Sequence, residues 1–245
     1  MNSGVIKASE CDSEAKLNII SAFDIIEDSI TSMLGSYKLD SLSIKPLGYM
    51  WVFTKNKVVI SKHPIWQSTY KIESHISKIS KAIMNIESNV FDESNNILIK
   101  AKTEACLLDI NTRRIVRLQS LDFSNITLGQ ESDINFMRLD LNRLYDTKRI
   151  VMVSSSNIDF SKHTNNVEYV RFLADSLTLD EYNNINEFEI HFTHESKIND
   201  ILHIKRCDNN FIILNKDKDV VCEAIIKWQN FILLDMEKLI IIRMD

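Results

Sequence analysis

With 4 glycines and 2 prolines in 245 residues, the chain must make most of its turns from Asn, Asp and Ser. No glycine-rich phosphate cradle can be assembled, and Ser154-Ser155-Ser156 lacks the glycines of a nucleophile elbow. The four cysteines, Cys11, Cys106, Cys207 and Cys222, are far apart and form no CxxC pair. Neither structural disulfides nor a zinc knuckle is expected, and buried free thiols in a reducing, cytoplasmic setting are. Basic residues do not dominate, since the net charge is −5, so nucleic acid is not the expected partner. Long apolar runs are missing as well. Leu239 to Ile242 suits only a short terminal strand, and Glu10, Asp12, Glu14 and Lys16 interrupt any leader-like stretch, so neither a membrane span nor a cleavable signal is expected.

What remains is a chain with 44% hydrophobic residues, enough for a substantial core. Val5 to Ala8 reads as a strand and Leu17 to Leu34 as a helix ending at Gly35. Ser21, Asp24, Asp28 and Thr31 form one polar stripe on that helix, which is otherwise apolar and so expected to be enclosed. Strands follow at Gly48 to Ile60, Thr69 to Ser80, Met84 to Phe91 and Ile97 to Leu108. This order predicts an α+β unit, an antiparallel sheet wrapped around one long helix. Ser120 to Lys148 is charged and weakly periodic and reads as a linker with a short helix near Phe136 to Leu144.

The order then repeats. A strand at Arg149 to Ser154, a turn, and a helix at Thr164 to Leu177 precede strands at Glu187 to Thr193, Ile198 to Arg206, Asn210 to Asn215, Val220 to Trp228 and Phe231 to Arg243. A shift of 147 positions (159 − 12) carries Asp12 onto Asp159, Asn18 onto Asn165 and Asp28-Ser29 onto Asp175-Ser176. Internal duplication follows, with an N-terminal domain at 1–119, a linker at 120–148 and a C-terminal domain at 149–245. Opposite Ser161 and His163 the first copy carries Glu14 and Lys16, so only the second copy has the imidazole.

The stretch Asp159-Phe160-Ser161-Lys162-His163-Thr164-Asn165-Asn166-Val167-Glu168-Tyr169 resembles the pattern of the plant and bacterial acyl-acyl-carrier-protein (acyl-ACP) thioesterases. That family pattern runs Asp, any residue, Asn, any residue, His, Val, Asn, Asn, Val, any residue, Tyr. Trp51 to Thr54 continuing to Trp66, Leu108 to Arg117 with its paired arginines, and Phe188 to Ile201 with His194-Glu195-Ser196 are similar to further stretches of the family, in the same order. The resemblance implies a tandem (double) hot-dog fold and hydrolysis of fatty acyl-ACP to free fatty acid and carrier, without metal or organic cofactor. It implies acyl-chain binding in the first domain, around Trp51, Phe53 and the first helix, and catalysis in the second, by a monomer or homodimer. Two departures stand out. Ser161 takes the place of the family's asparagine, and Ser196 follows Glu195 where plant members have cysteine. A weakened relative that binds acyl-ACP or lipid without turnover, and an acyl-CoA thioesterase, are the alternatives.

Thioester hydrolysis needs an activated water and donors for the developing oxyanion. On the resemblance, Asp159 and Glu195 are the candidate carboxylates, His163 the imidazole and Ser161 a positioning group, with the choice of base between the carboxylates left open. Asn165 and Asn166 read as structural, and N–H groups at the helix start as oxyanion donors. His191 and His194, three apart on a strand, point to opposite faces and cannot share a metal. His63, His75 and His203 have no companions and read as surface or strand-face residues. Arg113, Arg114 and Arg117 form a basic cluster suited to an acidic carrier protein.

Overall fold

The computed structural model describes residues 2–138, 143–160 and 162–229. Ser161 and the strand expected at 231–243 lie outside them. In chain order the first half comprises strand β1 (Asn2–Val5), helix α1 (Ile19–Ser36), helix α2 (Ser41–Ile44) and strands β2 (Tyr49–Ile60), β3 (Thr69–Ile79), β4 (Ile83–Phe91), β5 (Ile97–Asp109) and β6 (Ile115–Val116). The second half comprises β7 (Asp146–Met152), α3 (Asn166–Ala174), α4 (Leu179–Asn183), β8 (Ile185–Phe192), β9 (Ile201–Cys207), β10 (Asn210–Leu214) and β11 (Val220–Trp228). The strands form one antiparallel sheet in the order β1-β3-β4-β5-β2-β8-β11-β10-β9-β7, with β6 added beside β5. Each half supplies one run of that order around its own long helix, which is the tandem hot-dog, an α+β architecture.

The seam between the halves is β2 against β8, paired from Lys55↔His191 to Val59↔Glu187. One core runs through the seam, and Phe23 of α1 meets Phe188 of β8 edge to face at 5.5 Å. The enclosure expected of α1 is met: Ile19, Phe23, Ile26 and Ile30 are buried, while Asp24, Asp28 and Thr31 stay exposed. Gly35 does not end the helix. It lies inside it, and the left-handed residue beyond the end is Lys38 (φ 58). The first strand starts earlier than expected, at Asn2, and β7 starts at Asp146 within the stretch read as linker.

The helix expected near 136–144 spans residues 139–142, which lie outside those described, and the described part of the linker crosses the outer face of the sheet. Gly129 N–H donates to Ile76 O at 2.9 Å, Lys102 pairs with Glu131 at 3.1 Å, and Ser132 donates to Glu87 at 2.6 Å. Lys57 donates to Asn135 O at 3.1 Å and Met137 N–H to Glu189 at 2.7 Å. Without this cover Lys57, Glu87, Lys102 and Glu189 would be charges on an open sheet. With it they are buried and paired.

His63 is half-buried, and its Nδ1 and Nε2 lie 3.0 Å from Leu17 O and Ile185 O. It therefore bridges the halves and is not the plain surface residue expected from its isolation in the sequence. No described helix is long and apolar enough to cross a membrane.

Candidate active site

The turn before α3 is built twice. In the second half Ile158 bridges Thr164, Asp159 N–H donates to His163 O at 3.0 Å, and Lys162 takes a left-handed conformation (φ 66). Asn165 caps α3 by accepting from Val167 N–H at 2.8 Å. In the first half Cys11 bridges Leu17, Asp12 N–H donates to Lys16 O at 2.8 Å, Ala15 is left-handed (φ 59), and Asn18 caps α1 through Ser21 N–H at 2.9 Å. The bridge, the Asp N–H bond, the left-handed residue and the cap residue each recur 147 residues later, although the capped N–H is one residue nearer in the second copy, so the duplication inferred from a few identities extends to the backbone of the turn.

The cap uses two of the donors at the helix start. Val167 N–H goes to the Asn165 side chain and Glu168 N–H to Asn165 O at 3.0 Å, so neither is left over for an oxyanion.

His163 and Glu195 come together although β8 separates them in sequence. Thr164 N–H donates to Ser196 O at 3.0 Å, and the Ser196 hydroxyl lies 2.8 Å from Thr164 Oγ1 and 2.7 Å from Tyr169 OH. Ser196 N–H in turn donates to Tyr169 OH at 2.9 Å. Ser196, where a cysteine was the family expectation, is therefore a buried strut turned away from the site. The residues just before this clasp face each other, with His163 Nε2 3.2 Å from Glu195 Oε2. His163 Nδ1 is sealed from solvent and has no partner among the described residues.

Asp159 opens the same turn, half-buried. A further cation, Arg113, reaches over from the first half and pairs with the same Glu195 oxygen. The sequence groups Arg113 with Arg114 and Arg117 as docking charges, because a contact spanning the two halves leaves no local signal.

A second unanticipated group is Glu27 of α1. One of its carboxylate oxygens is sealed and unpartnered among the described residues. Burial, reinforced by Asp24, Asp28 and Asp159, pushes its pKa up to about 8. Nothing in the sequence distinguishes it from the exposed acids on either side.

His191 Nε2 meets Glu189 at 2.8 Å while His194 Nδ1 meets Val220 O at 2.7 Å, so the two imidazoles turn to separate partners. Trp51 is core, its indole donating to Leu39 O at 2.6 Å. A cavity of about 270 Å³ beside α1 is lined mainly by polar residues, among them Ser21, Asp24, Asp28 and Tyr70, and not by Trp51 or Phe53.

Comparison with known proteins agrees with this architecture. Residues 5–123 match the model of the acyl-ACP thioesterase N-terminal domain. A chloroplastic acyl-acyl-carrier-protein hydrolase of Cuphea viscosissima is 21% identical over 140 residues, 54% of this chain and 33% of its own length. A chloroplastic palmitoyl-acyl carrier protein thioesterase of Gossypium hirsutum is 23% identical over 145 residues, 53% of this chain and 34% of its own. The chain thus spans about a third of the length of these curated relatives. The crystal structure of an acyl-ACP thioesterase from Bacteroides thetaiotaomicron superposes with a TM-score of 0.85 at 15% identity, over 93% of this chain and 96% of that one. The 12:0-ACP thioesterase from Umbellularia californica gives a TM-score of 0.76 at 16% identity, over 93% and 96% of the two chains. The first half of the chain is thus similar in sequence to the acyl-ACP thioesterase N-terminal domain, and the tandem fold of these thioesterases is shared along nearly its whole length.

Proposed function

We propose that the protein hydrolyses the thioester of fatty acyl-ACP, releasing free fatty acid and carrier protein. The observation that carries the reading is the imidazole of His163, set between the Glu195 carboxylate at 3.2 Å and its own sealed, unpartnered Nδ1. A carboxylate only accepts, so a neutral imidazole bound to it bears its hydrogen on Nε2 and keeps a lone pair on Nδ1. Nδ1 is sealed in the substrate-free protein, so it takes a proton from water only once substrate and water have entered beside the turn, as the water oxygen attacks the thioester carbonyl carbon. Collapse of the tetrahedral intermediate breaks the C–S bond, and the imidazolium returns the proton to the departing thiolate. Asp159, on the same turn, is a second acceptor that orients the water or the substrate.

In this reading the N-terminal domain, 1–119, holds the acyl chain between helix and sheet, and the C-terminal domain, 149–245, carries the chemistry. The 120–148 segment links them. Arg114 and Arg117 are exposed, and Lys45 and Lys81 stand nearby, since Ile110 N–H bonds Gly48 O and Leu118 N–H bonds Lys81 O. This surface suits an acidic carrier. Four unpaired cysteines fit a reducing compartment such as the cytoplasm.

Release of free thiol from a panel of acyl-ACP and acyl-CoA substrates tests the reading. Turnover of acyl-ACP that falls at least about 100-fold in His163→Ala supports it. Turnover unchanged by that substitution overturns the site, and a preference for acyl-CoA overturns the substrate. A second reading, binding without turnover, is favoured by Ser161, which offers a hydroxyl where the family has an amide. Saturable acyl-ACP binding with no thiol release, converted to turnover by Ser161→Asn, would establish it.

A further inference from the structure

We propose that Arg113 is a positioning residue of this site: reaching from the first half of the chain, it holds the Glu195 carboxylate turned toward His163, so that Glu195 sets the imidazole tautomer and is not itself the base. The inference rests on the thioester-hydrolase reading above and settles which groups are left for the base's role, namely His163 Nδ1 and Asp159.

A single oxygen, Glu195 Oε2, receives both Arg113 Nη2 and His163 Nε2. A carboxylate oxygen engaged by a guanidinium and an imidazole N–H is poorly placed to take a proton from water as well. The guanidinium has no deprotonated form at working pH, so the pairing does not switch with pH as one made by histidine would. The division of labour is that of a carboxylate orienting a histidine, with the imidazole doing the proton transfer.

The chain invests in delivering this arginine. Arg113 has a left-handed backbone (φ 56), a conformation disfavoured for a residue with a Cβ. It is kept there by a closed turn. Arg113 N–H donates to Asp109 O at 2.9 Å, and Asp109 Oδ1 accepts from Asn111 N–H at 3.0 Å and Thr112 N–H at 2.7 Å. Those bonds, Thr112's foremost, hold the Asp109 carboxyl below its usual range. The other guanidinium nitrogen, Nη1, rests 3.0 Å from Met50 Sδ, which fixes the fork from the side of β2. The adjacent Arg114 is also exposed but has no such anchoring, so the two arginines of the pair divide between site and surface.

The test is ¹⁵N NMR of the imidazoles in the full-length protein, with the His163 signals assigned by their loss in His163→Ala, alongside steady-state kinetics. In the wild type His163 is the Nε2–H tautomer. Arg113→Gln populates both tautomers, as Glu195→Gln does, and Arg113→Lys restores most of the wild-type signal. In kinetics Arg113→Gln lowers kcat about 10- to 100-fold with KM within about twofold, and adds less than about threefold to Glu195→Gln. An unchanged His163 spectrum in Arg113→Gln overturns the proposal, as does a loss that multiplies in full with that of Glu195→Gln. Should the wild type turn over no thioester, the hydrolase reading fails, while the tautomer measurement still decides whether Arg113 governs His163. Arg113→Lys keeps the test alive if the glutamine variant does not fold.

Discussion

Thr164 and Ser196 clasp each other through backbone and side chain, at 3.0 Å from Thr164 N–H to Ser196 O and 2.8 Å between their hydroxyls, and this contact sets His163 against Glu195. Because both catalytic candidates immediately precede a clasped residue, small movements of the clasp are passed directly to the pair. Ser196→Ala leaves Thr164 Oγ1 and Tyr169 OH short of a buried partner, at a cost of about 1–3 kcal/mol in stability. The expected outcome is a lower denaturant midpoint together with a fall in kcat under conditions where the variant is still fully folded. A kcat unchanged in folded Ser196→Ala would mean that the pair is held by other contacts.

How much of this was legible in the sequence follows from what is local. Asp12, Asn18, Asp159 and Asn165 announce the duplicated turn because Asp and Asn act within a few residues of themselves, on the turn's own backbone or the first N–H groups of a helix. The apolar face of α1 is equally local, and its enclosure could be read from spacing. Arg113 and Glu195 lie 82 positions apart and meet only through the tertiary packing of the two halves along the β2–β8 seam. The bridging role of His63 and the sealing of Glu27 are tertiary in the same sense. Gly35 misled for the opposite reason: the local rule favours a stop at glycine, but Leu39 N–H reaches back to Leu34 O and the reversal is made by Lys38 instead.

Glu27 makes stability depend on pH in a direction opposite to ordinary acid denaturation. Its proton is held in the folded chain up to about 8, against 4.5 for an unperturbed glutamate. Between those values the native state binds the extra proton and the unfolded state does not. Stability therefore falls as pH rises through that window, by at most about 1.4 kcal/mol per pH unit, and levels off above it. Glu27→Gln removes the effect. The variant should melt at a higher temperature than the wild type at pH 8.5 and at about the same temperature at pH 5. Equal Tm differences at the two pH values would show that Glu27 is solvated and ordinary.

Gly129 is needed for close approach, not for backbone freedom. A Cβ there would run into the imidazole of His75, whose Nε2 is tied to Gln130 O at 2.9 Å, while Gly129 N–H pins the linker to Ile76 O at 2.9 Å. Gly129→Ala should destabilise by about 1–3 kcal/mol. If the collision is the cause, His75→Ala should recover most of that loss in a double-mutant cycle read by chemical denaturation. Additive losses would place the cost in the linker's backbone instead.

Arg114 and Arg117 are exposed and free of the anchoring that holds Arg113, which makes them the groups through which an acidic carrier would be felt. Exposed charges contribute little to folding but alter encounter with a charged partner, and that contribution is screened by salt. Reversing both, in Arg114→Glu with Arg117→Glu, should leave Tm within about 2 °C, given how little exposed charges contribute to stability. The same variant should raise KM for acyl-ACP by roughly 10-fold at low ionic strength, and by much less at 0.5 M salt. Hydrolysis of a small uncharged thioester should be unchanged, because no carrier is involved. A KM for acyl-ACP that ignores the reversal at low salt would move the carrier's approach to another face of the molecule. Loss of activity toward the small thioester would instead show that the turn carrying Arg113 had been disturbed, which the imidazole spectrum of His163 would register independently.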